Sequence, residues 1–112
     1  MNPNLFISRS YSSTANGRGF NESDKLAVWQ KAIAVNGFDP GVMRMDSCGA
    51  LIAWNEYGNT KEYGNGWEID HIMPVARGGT DAISNLQALQ WQNNRDKGDK
   101  LTLNYCLVSR KV

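Results

Sequence analysis

Histidine and cysteine are scarce in this chain: its 112 residues include one histidine and two cysteines. Two cysteines cannot complete a four-thiolate zinc site or a dense disulfide framework. Because Cys48 and Cys106 lie far apart in the sequence, we expect both to be reduced and structural, with a disulfide only if the chain is exported. The composition thus excludes a small protein held together by several disulfides.

Long apolar stretches are also absent. No run reaches the roughly 18 residues of a membrane-spanning helix, and Met1–Ser10 contains no continuous apolar segment like the core of a signal peptide. A net charge of +1 does not by itself indicate a nucleic-acid-binding protein. The length permits one modest hydrophobic core, so we expect a single-domain, soluble, cytoplasmic protein with no membrane partner.

The beginning of the chain is poor in apolar side chains. Residues 8–19 are small, polar and interrupted by glycine, and they offer little apolar surface to offset the entropy lost on ordering. We therefore predict a flexible N-terminal arm over residues 1–19 and one domain over residues 20–112.

Hydrophobic periodicity and turn residues predict the elements that follow. A helix from about residue 22 to 35 would place Leu26, Trp29 and Ile33 on a core face. Apolar runs at 42–45 and 50–54 flank a glycine-containing turn and predict a hairpin. Strands at 67–72 and 86–89 and a short helix at 90–97 complete an α+β fold.

The single histidine, His71, directly follows Asp70 at the end of a predicted strand. Histidine has an ordinary pKa near neutrality, so a general base of the usual kind would be this residue. A lone histidine is more often a structural residue with one satisfied hydrogen bond. Strict alternation would place Asp70 and His71 on opposite faces, so a shared site requires the strand to end or bulge near Pro74.

An ordered series of residues after this pair carries a specific resemblance. The series comprises Asp70-His71, Pro74, Gly78-Gly79, Asn85-Leu86, Leu89, Asn94 and Lys97. It resembles the HNH endonuclease family. The resemblance implies a ββα-metal core, formed by an antiparallel hairpin and a short helix over about residues 67–98, preceded by the N-terminal helix and the small hairpin.

The resemblance also implies roles for individual residues. His71 would be the general base, and Asn85 would orient it by bracing the loop, although a plain Asx turn also explains Asn85. Asp70 and Asn94 would bind one divalent ion, Mg²⁺ or Mn²⁺, through hard oxygen atoms.

Three basic residues and one acidic residue are weaker candidates. Arg95, Lys97 and Arg77 could contact DNA phosphates. A solvated helix face explains Arg95 and Lys97 almost as well, and an exposed loop arginine explains Arg77 equally well. Glu68 is a candidate outer ligand or orienting group, although a solvent-facing carboxylate is the commoner case.

The chain departs from the family pattern at two points. Asn94 stands where many relatives have histidine, which makes this an HNN variant that still offers an oxygen ligand. Gln90 and Asn93 stand where many relatives have the second cysteine pair of a structural zinc site, so we expect no structural zinc. Hydrophobic packing would then stabilise the core, through residues such as Trp67, Leu86, Leu89 and Trp91.

The leading hypothesis is a metal-dependent DNA endonuclease that leaves 5′-phosphate and 3′-hydroxyl ends. A non-catalytic nucleic-acid-binding module on the same fold is one alternative. An exported antibacterial nuclease, neutralised by an acidic immunity protein, is another. The modest charge suggests limited nonspecific affinity for DNA, so a larger protein partner, a homodimer or the N-terminal arm could supply targeting.

Overall fold

The computed structural model describes residues 10–101 and 105–109. These residues form two α-helices, α1 (Glu22–Lys31) and α2 (Trp91–Lys97). They also form five strands: β1 (Ile33–Ala34), β2 (Met43–Met45), β3 (Leu51–Ala53), β4 (Trp67–His71) and β5 (Leu86–Gln90). β1, β2 and β3 make an antiparallel sheet, and β4 and β5 make a second one. The predicted α+β class is confirmed.

Helix α1 begins where the sequence predicts and ends earlier. The Asn21 side chain caps it by accepting a hydrogen bond from Asp24 N at 2.7 Å. The helix stops at Lys31 because Ile33 and Ala34 pair with Met45 and Arg44 instead. The prediction of a helix to residue 35 is therefore wrong, since strand pairing overrides local periodicity.

The predicted core face of α1 is only partly correct. Trp29 is 2% exposed, and its neighbour Val28 is fully buried. Leu26 and Ile33, by contrast, are 46% and 48% exposed. The shorter helix explains Ile33, which lies in β1 rather than on the helix.

Aromatic packing forms the centre of the molecule. The ring centroid of Trp67 lies 5.1 Å from that of Trp29 and 4.8 Å from that of Tyr57. Trp67, Leu86 and Leu89 are completely buried, in agreement with the prediction, whereas Trp91 is only partly buried. This core fixes the position of β4, the strand that carries the Asp-His pair.

The hairpin of β4 and β5 leads directly into α2. Asp70 pairs with Gln87 and His71 with Leu86 in the antiparallel register. Gln90 ends β5 and caps α2 by accepting a hydrogen bond from Asn93 N at 3.0 Å. A strand, a loop, a strand and a helix therefore follow one another without interruption.

A buried polar network joins the turn after β2 to the start of α2. The Asp46 carboxylate, 1% exposed, accepts hydrogen bonds from Cys48 N, Ala50 N and Gln90 N, each at 2.9 Å, and from Asn93 Nδ2 at 3.0 Å. The Asn93 side chain also exchanges two hydrogen bonds with the backbone of Val108. Hydrophobic packing is thus supplemented here by a carboxylate that pairs with four donors.

The cysteines are paired in the structure. Cys48 and Cys106 form a disulfide between residues 58 positions apart. The expectation of two reduced cysteines is therefore wrong. Sequence separation did not predict the contact, because the segment around Tyr105 folds back and packs beside Cys48 and Leu89.

The helices of the described residues are short. None of these helices is long and apolar enough to cross a membrane.

Candidate active site

A cleft of about 580 Å³ lies beside β4. β5 pairs with one edge of β4, while on the other edge Ile69 N donates a hydrogen bond to Ser12 Oγ at 2.8 Å. Asp70, His71 and Asn94 all line this cleft, and Tyr11 and Ser12 line it from the N-terminal segment. Strand β4 ends at His71, as we expected for a site that Asp70 and His71 share. Both residues line the cleft although they are neighbours in a strand.

His71 is held tightly although it lines the cleft. Its side chain is 3% exposed, and its Nε2 atom lies 2.7 Å from Asp81 Oδ1. Nδ1 has no hydrogen-bond partner among residues 10–101 and 105–109. Every fully buried side-chain nitrogen or oxygen of these residues has a partner, so the unpaired Nδ1 must reach solvent. One ring nitrogen is anchored and the other is accessible to water.

Asp70 contacts a buried cation. Lys97 Nζ lies 3.2 Å from Asp70 Oδ2 and donates a hydrogen bond to His71 O at 2.9 Å. Gln87 Nε2 donates to Asp70 Oδ2 at 2.9 Å. Burial raises the pKa of Asp70, and the contacts with Gln87 and Lys97 oppose that shift. Within residues 10–101 and 105–109, the carboxylate is therefore held by side chains and not by the backbone.

Asn94 is oriented by Glu68. Asn94 Nδ2 donates to Glu68 Oε1 at 3.0 Å, and Glu68 also forms an ion pair with Arg95 at 3.2 Å. In the described part of the chain, Asn94 Oδ1 has no hydrogen-bond donor. Every fully buried side-chain nitrogen or oxygen of the described residues has a partner, so this unpaired oxygen must be exposed. Because Asn94 lines the cleft, the oxygen is accessible there. Glu68, 4% exposed, thus holds the Asn94 amide group and is not a solvent-facing carboxylate.

These donors fit a hard divalent cation. A carboxylate from Asp70 and an amide oxygen from Asn94 line one cleft, and Mg²⁺ binds through few protein oxygens while keeping several waters. The described residues contain no group of three or more histidine, cysteine or acidic side chains suited to a metal. A metal held here would complete its coordination with water or substrate oxygens.

Asn85 braces the loop between the two strands. Its Nδ2 donates to Thr80 O at 2.8 Å and to Met73 O at 3.1 Å, and its Oδ1 accepts from Met73 N at 2.8 Å. Gly79 packs so closely that an added Cβ would lie 1.7 Å from Met73 O. The loop after His71 therefore has a defined path, which explains the need for asparagine and glycine at these positions.

The three basic candidates lie in different environments. Arg95 has its guanidinium 4.1 Å from the centroid of the Tyr11 ring, at the side of the cleft. Arg77 is exposed and donates to Asp99 O at 3.0 Å. Lys97 is 3% exposed and points at Asp70, so the structure does not bring it to the surface.

Sequence reasoning missed Asp81 and Gln87. Asp81 follows Gly78-Gly79-Thr80 in the loop, and its carboxylate contacts His71. Asp81 lies in the sequence between the Asp70-His71 pair and Asn85, and this position could have indicated a role near His71. Gln87 could have been found from the register, because it pairs directly with Asp70.

An antiparallel hairpin leads into a short helix, with Asp-His ending the first strand and asparagine on the helix, which is the ββα arrangement expected of an HNH core. Residues 47–100 match the family model described as HNH endonuclease. This segment is therefore similar to the HNH endonuclease domain, and the resemblance seen in the sequence is confirmed. No significant match is found among curated proteins or among solved structures.

Proposed function

We propose that the protein is a metal-dependent DNA endonuclease. One observation carries the proposal: Asp70, His71 and Asn94 line the same cleft within a segment similar to the HNH endonuclease domain. A general base and two oxygen ligands at one place are what phosphodiester hydrolysis requires. The alternative of a non-catalytic binding module does not explain why these groups converge.

His71 would act as the general base. Its accessible Nδ1 takes a proton from water, the water oxygen attacks phosphorus, and the bond from phosphorus to the 3′ oxygen breaks. The departing 3′ oxygen takes a proton from solvent. The products are a 5′-phosphate and a 3′-hydroxyl.

Asp70 and Asn94 would hold one divalent cation, with Mg²⁺ or Mn²⁺ suiting their oxygen atoms. When bound, the cation would polarise the phosphate and stabilise charge on the leaving oxygen. Glu68 supports this arrangement by holding the amide nitrogen of Asn94. Asn85 supports it by bracing the loop that follows His71.

DNA would enter the cleft past Tyr11 and Arg95. The stacked pair offers a planar cation and an aromatic ring beside the proposed reaction centre. Arg77 offers a second exposed cation, on the loop after Pro74. Lys97 would act from inside the protein, through Asp70, and not on a phosphate.

Cleavage of supercoiled plasmid tests this function. The protein should nick the plasmid with Mg²⁺ and stop when EDTA is added. His71→Ala should lower the rate at least about 10³-fold, because general-base catalysis contributes up to about 10⁴-fold. Tyr63→Ala, which removes a ring that is 95% exposed, serves as the matched control and should cleave normally. Unchanged cleavage by His71→Ala would overturn the proposal.

A second candidate, an exported antibacterial nuclease, is favoured by the Cys48–Cys106 disulfide. Disulfides persist in oxidising compartments and are rare in the cytosol, which counts against the predicted cytoplasmic location. Protein purified from its natural source, with thiols trapped by alkylation during lysis, should contain the disulfide and carry a small acidic partner. Two alkylated cysteines would argue against export.

A further inference from the structure

The loop carboxylate of Asp81 contacts two parts of the molecule at once. Its Oδ1 atom lies 2.7 Å from His71 Nε2. The same carboxylate accepts a hydrogen bond from Ala15 N, at 2.9 Å to Oδ1 and 3.2 Å to Oδ2. Asp81 therefore links the imidazole to the N-terminal segment, four residues of which line the cleft.

The contact with Asp81 determines which nitrogen of His71 carries the proton. An ionised carboxylate can only accept hydrogen bonds, so His71 Nε2 must donate. In a neutral imidazole the other nitrogen is then an acceptor, and in His71 that atom is the solvent-accessible Nδ1. The geometry selects the tautomer whose free lone pair faces water.

Ring position is restrained by the same contacts. His71 is the last residue of β4, and its ring centroid lies 6.1 Å from that of Phe20. Phe20 follows the segment that Asp81 anchors through Ala15 N. A single carboxylate thus orients the imidazole directly and secures a neighbouring segment of chain.

We propose that Asp81 is a positioning residue for His71, which holds the imidazole in its Nε2–H tautomer and presents Nδ1 to the attacking water. This role rests on the proposed function, because it matters only if His71 is the base. It goes beyond that function in assigning a partner to the imidazole. It also assigns a distinct role to each ring nitrogen.

The experiment compares Asp81→Asn with Asp39→Asn. Asparagine at 81 keeps the shape but adds an amide that can donate to Nε2, which would favour the opposite, Nδ1–H tautomer. Asp39 is an exposed loop carboxylate that accepts from Gly41 N at 2.8 Å and does not line the cleft, so it receives the same chemical change elsewhere. Because His71 is the only histidine, its ¹⁵N signals need no assignment.

Long-range ¹H–¹⁵N correlation spectra, recorded where the imidazole is neutral, report the tautomer. We expect Nε2–H in the wild type and in Asp39→Asn, and a shift toward Nδ1–H in Asp81→Asn. With plasmid DNA, Asp81→Asn should lower kcat about 10²- to 10⁴-fold, the range between loss of an outer-shell partner and imposition of the wrong tautomer, and change KM less than about threefold.

An Nδ1–H wild type overturns the inference, as does an Asp81→Asn variant with unchanged tautomer and kcat. Asp81→Ala is the second variant if asparagine disturbs folding, and there we expect a mixture of tautomers. The spectra also separate the two proposals. A wild type that is Nε2–H but cleaves no DNA with any divalent ion refutes the endonuclease assignment and retains the Asp81–His71 contact.

Discussion

Two buried aspartates, Asp46 and Asp70, contact β5 near its opposite ends and are stabilised in different ways. Asp46 accepts hydrogen bonds from three backbone amides and one side-chain amide, all neutral donors. Among the residues that the structure describes, the Asp70 carboxylate contacts side chains, the ammonium of Lys97 and the amide of Gln87, and Asp70 lines the cleft. Releasing Asp46 would require movement of the backbone, whereas releasing Asp70 would require only rotation of the Lys97 and Gln87 side chains. One carboxylate thus serves the fold, and the other is the one to which we assign a cation in the proposed function.

The largest effect should follow removal of the Asp70–Lys97 pair. The double variant Asp70→Asn with Lys97→Met should lower Mg²⁺-dependent cleavage at least about 10³-fold, which corresponds to about 4 kcal/mol of activation free energy. Unfolding free energy should change by less than about 2 kcal/mol, because replacing a whole buried ion pair is often close to neutral. Plasmid cleavage and urea denaturation measure the two effects. If the double variant unfolds at a much lower urea concentration than the wild type, then Asp70 stabilises the fold as Asp46 does, and the contrast between the two aspartates is wrong.

Asp46→Ala should produce the reverse pattern. It leaves several buried donors unpaired, and each costs about 1–3 kcal/mol, so we expect a loss of about 3–5 kcal/mol in unfolding free energy. Urea denaturation measures the loss. Asp39→Ala, at an exposed position, is the matched control and should cost less than about 1 kcal/mol. Equal stability of the two variants would show that the buried network contributes little.

Replacing both cysteines by serine should have a somewhat smaller effect. The disulfide closes a separation of 58 residues, and its loss should lower the unfolding free energy by about 2–4 kcal/mol. Cleavage at a temperature where both proteins are folded should stay within about twofold, because neither cysteine lines the cleft. Thermal unfolding of the wild type, recorded with and without a reducing agent, compares the same protein with and without the disulfide. An identical melting temperature in both would contradict the structural role.

Much of the ββα core followed from local sequence. The hairpin and helix occupy contiguous residues, so alternation in Trp67–His71, the glycine-rich loop and the Gly98 helix end all act at short range. Helix α1 was predicted less well, because the pairing of Ile33 with Met45 ended it early. Local patterns predict an element well when its partner is also local.

The site was predicted unevenly for the same reason. The structure brings Asp70, His71 and Asn94 together, and Asn85 makes the loop contacts expected of it. The burial of Lys97 was missed, because position on a helix does not reveal which face a neighbouring strand covers. Charge alone suggested a phosphate contact, while the packing directs the ammonium toward Asp70.

By itself, the sequence determined the identity and spacing of the proposed base and metal ligands, and hence the resemblance to the HNH endonuclease family. Those features depend on residue type and on short-range chain geometry. Only the tertiary structure decided that Asp81 meets His71 and that Cys48 meets Cys106. It also decided that the cleft is lined by four residues of the N-terminal segment, Ser10, Tyr11, Ser12 and Ala15. Each of these contacts depends on the path of a loop or terminal segment over the folded core, which no local pattern specifies.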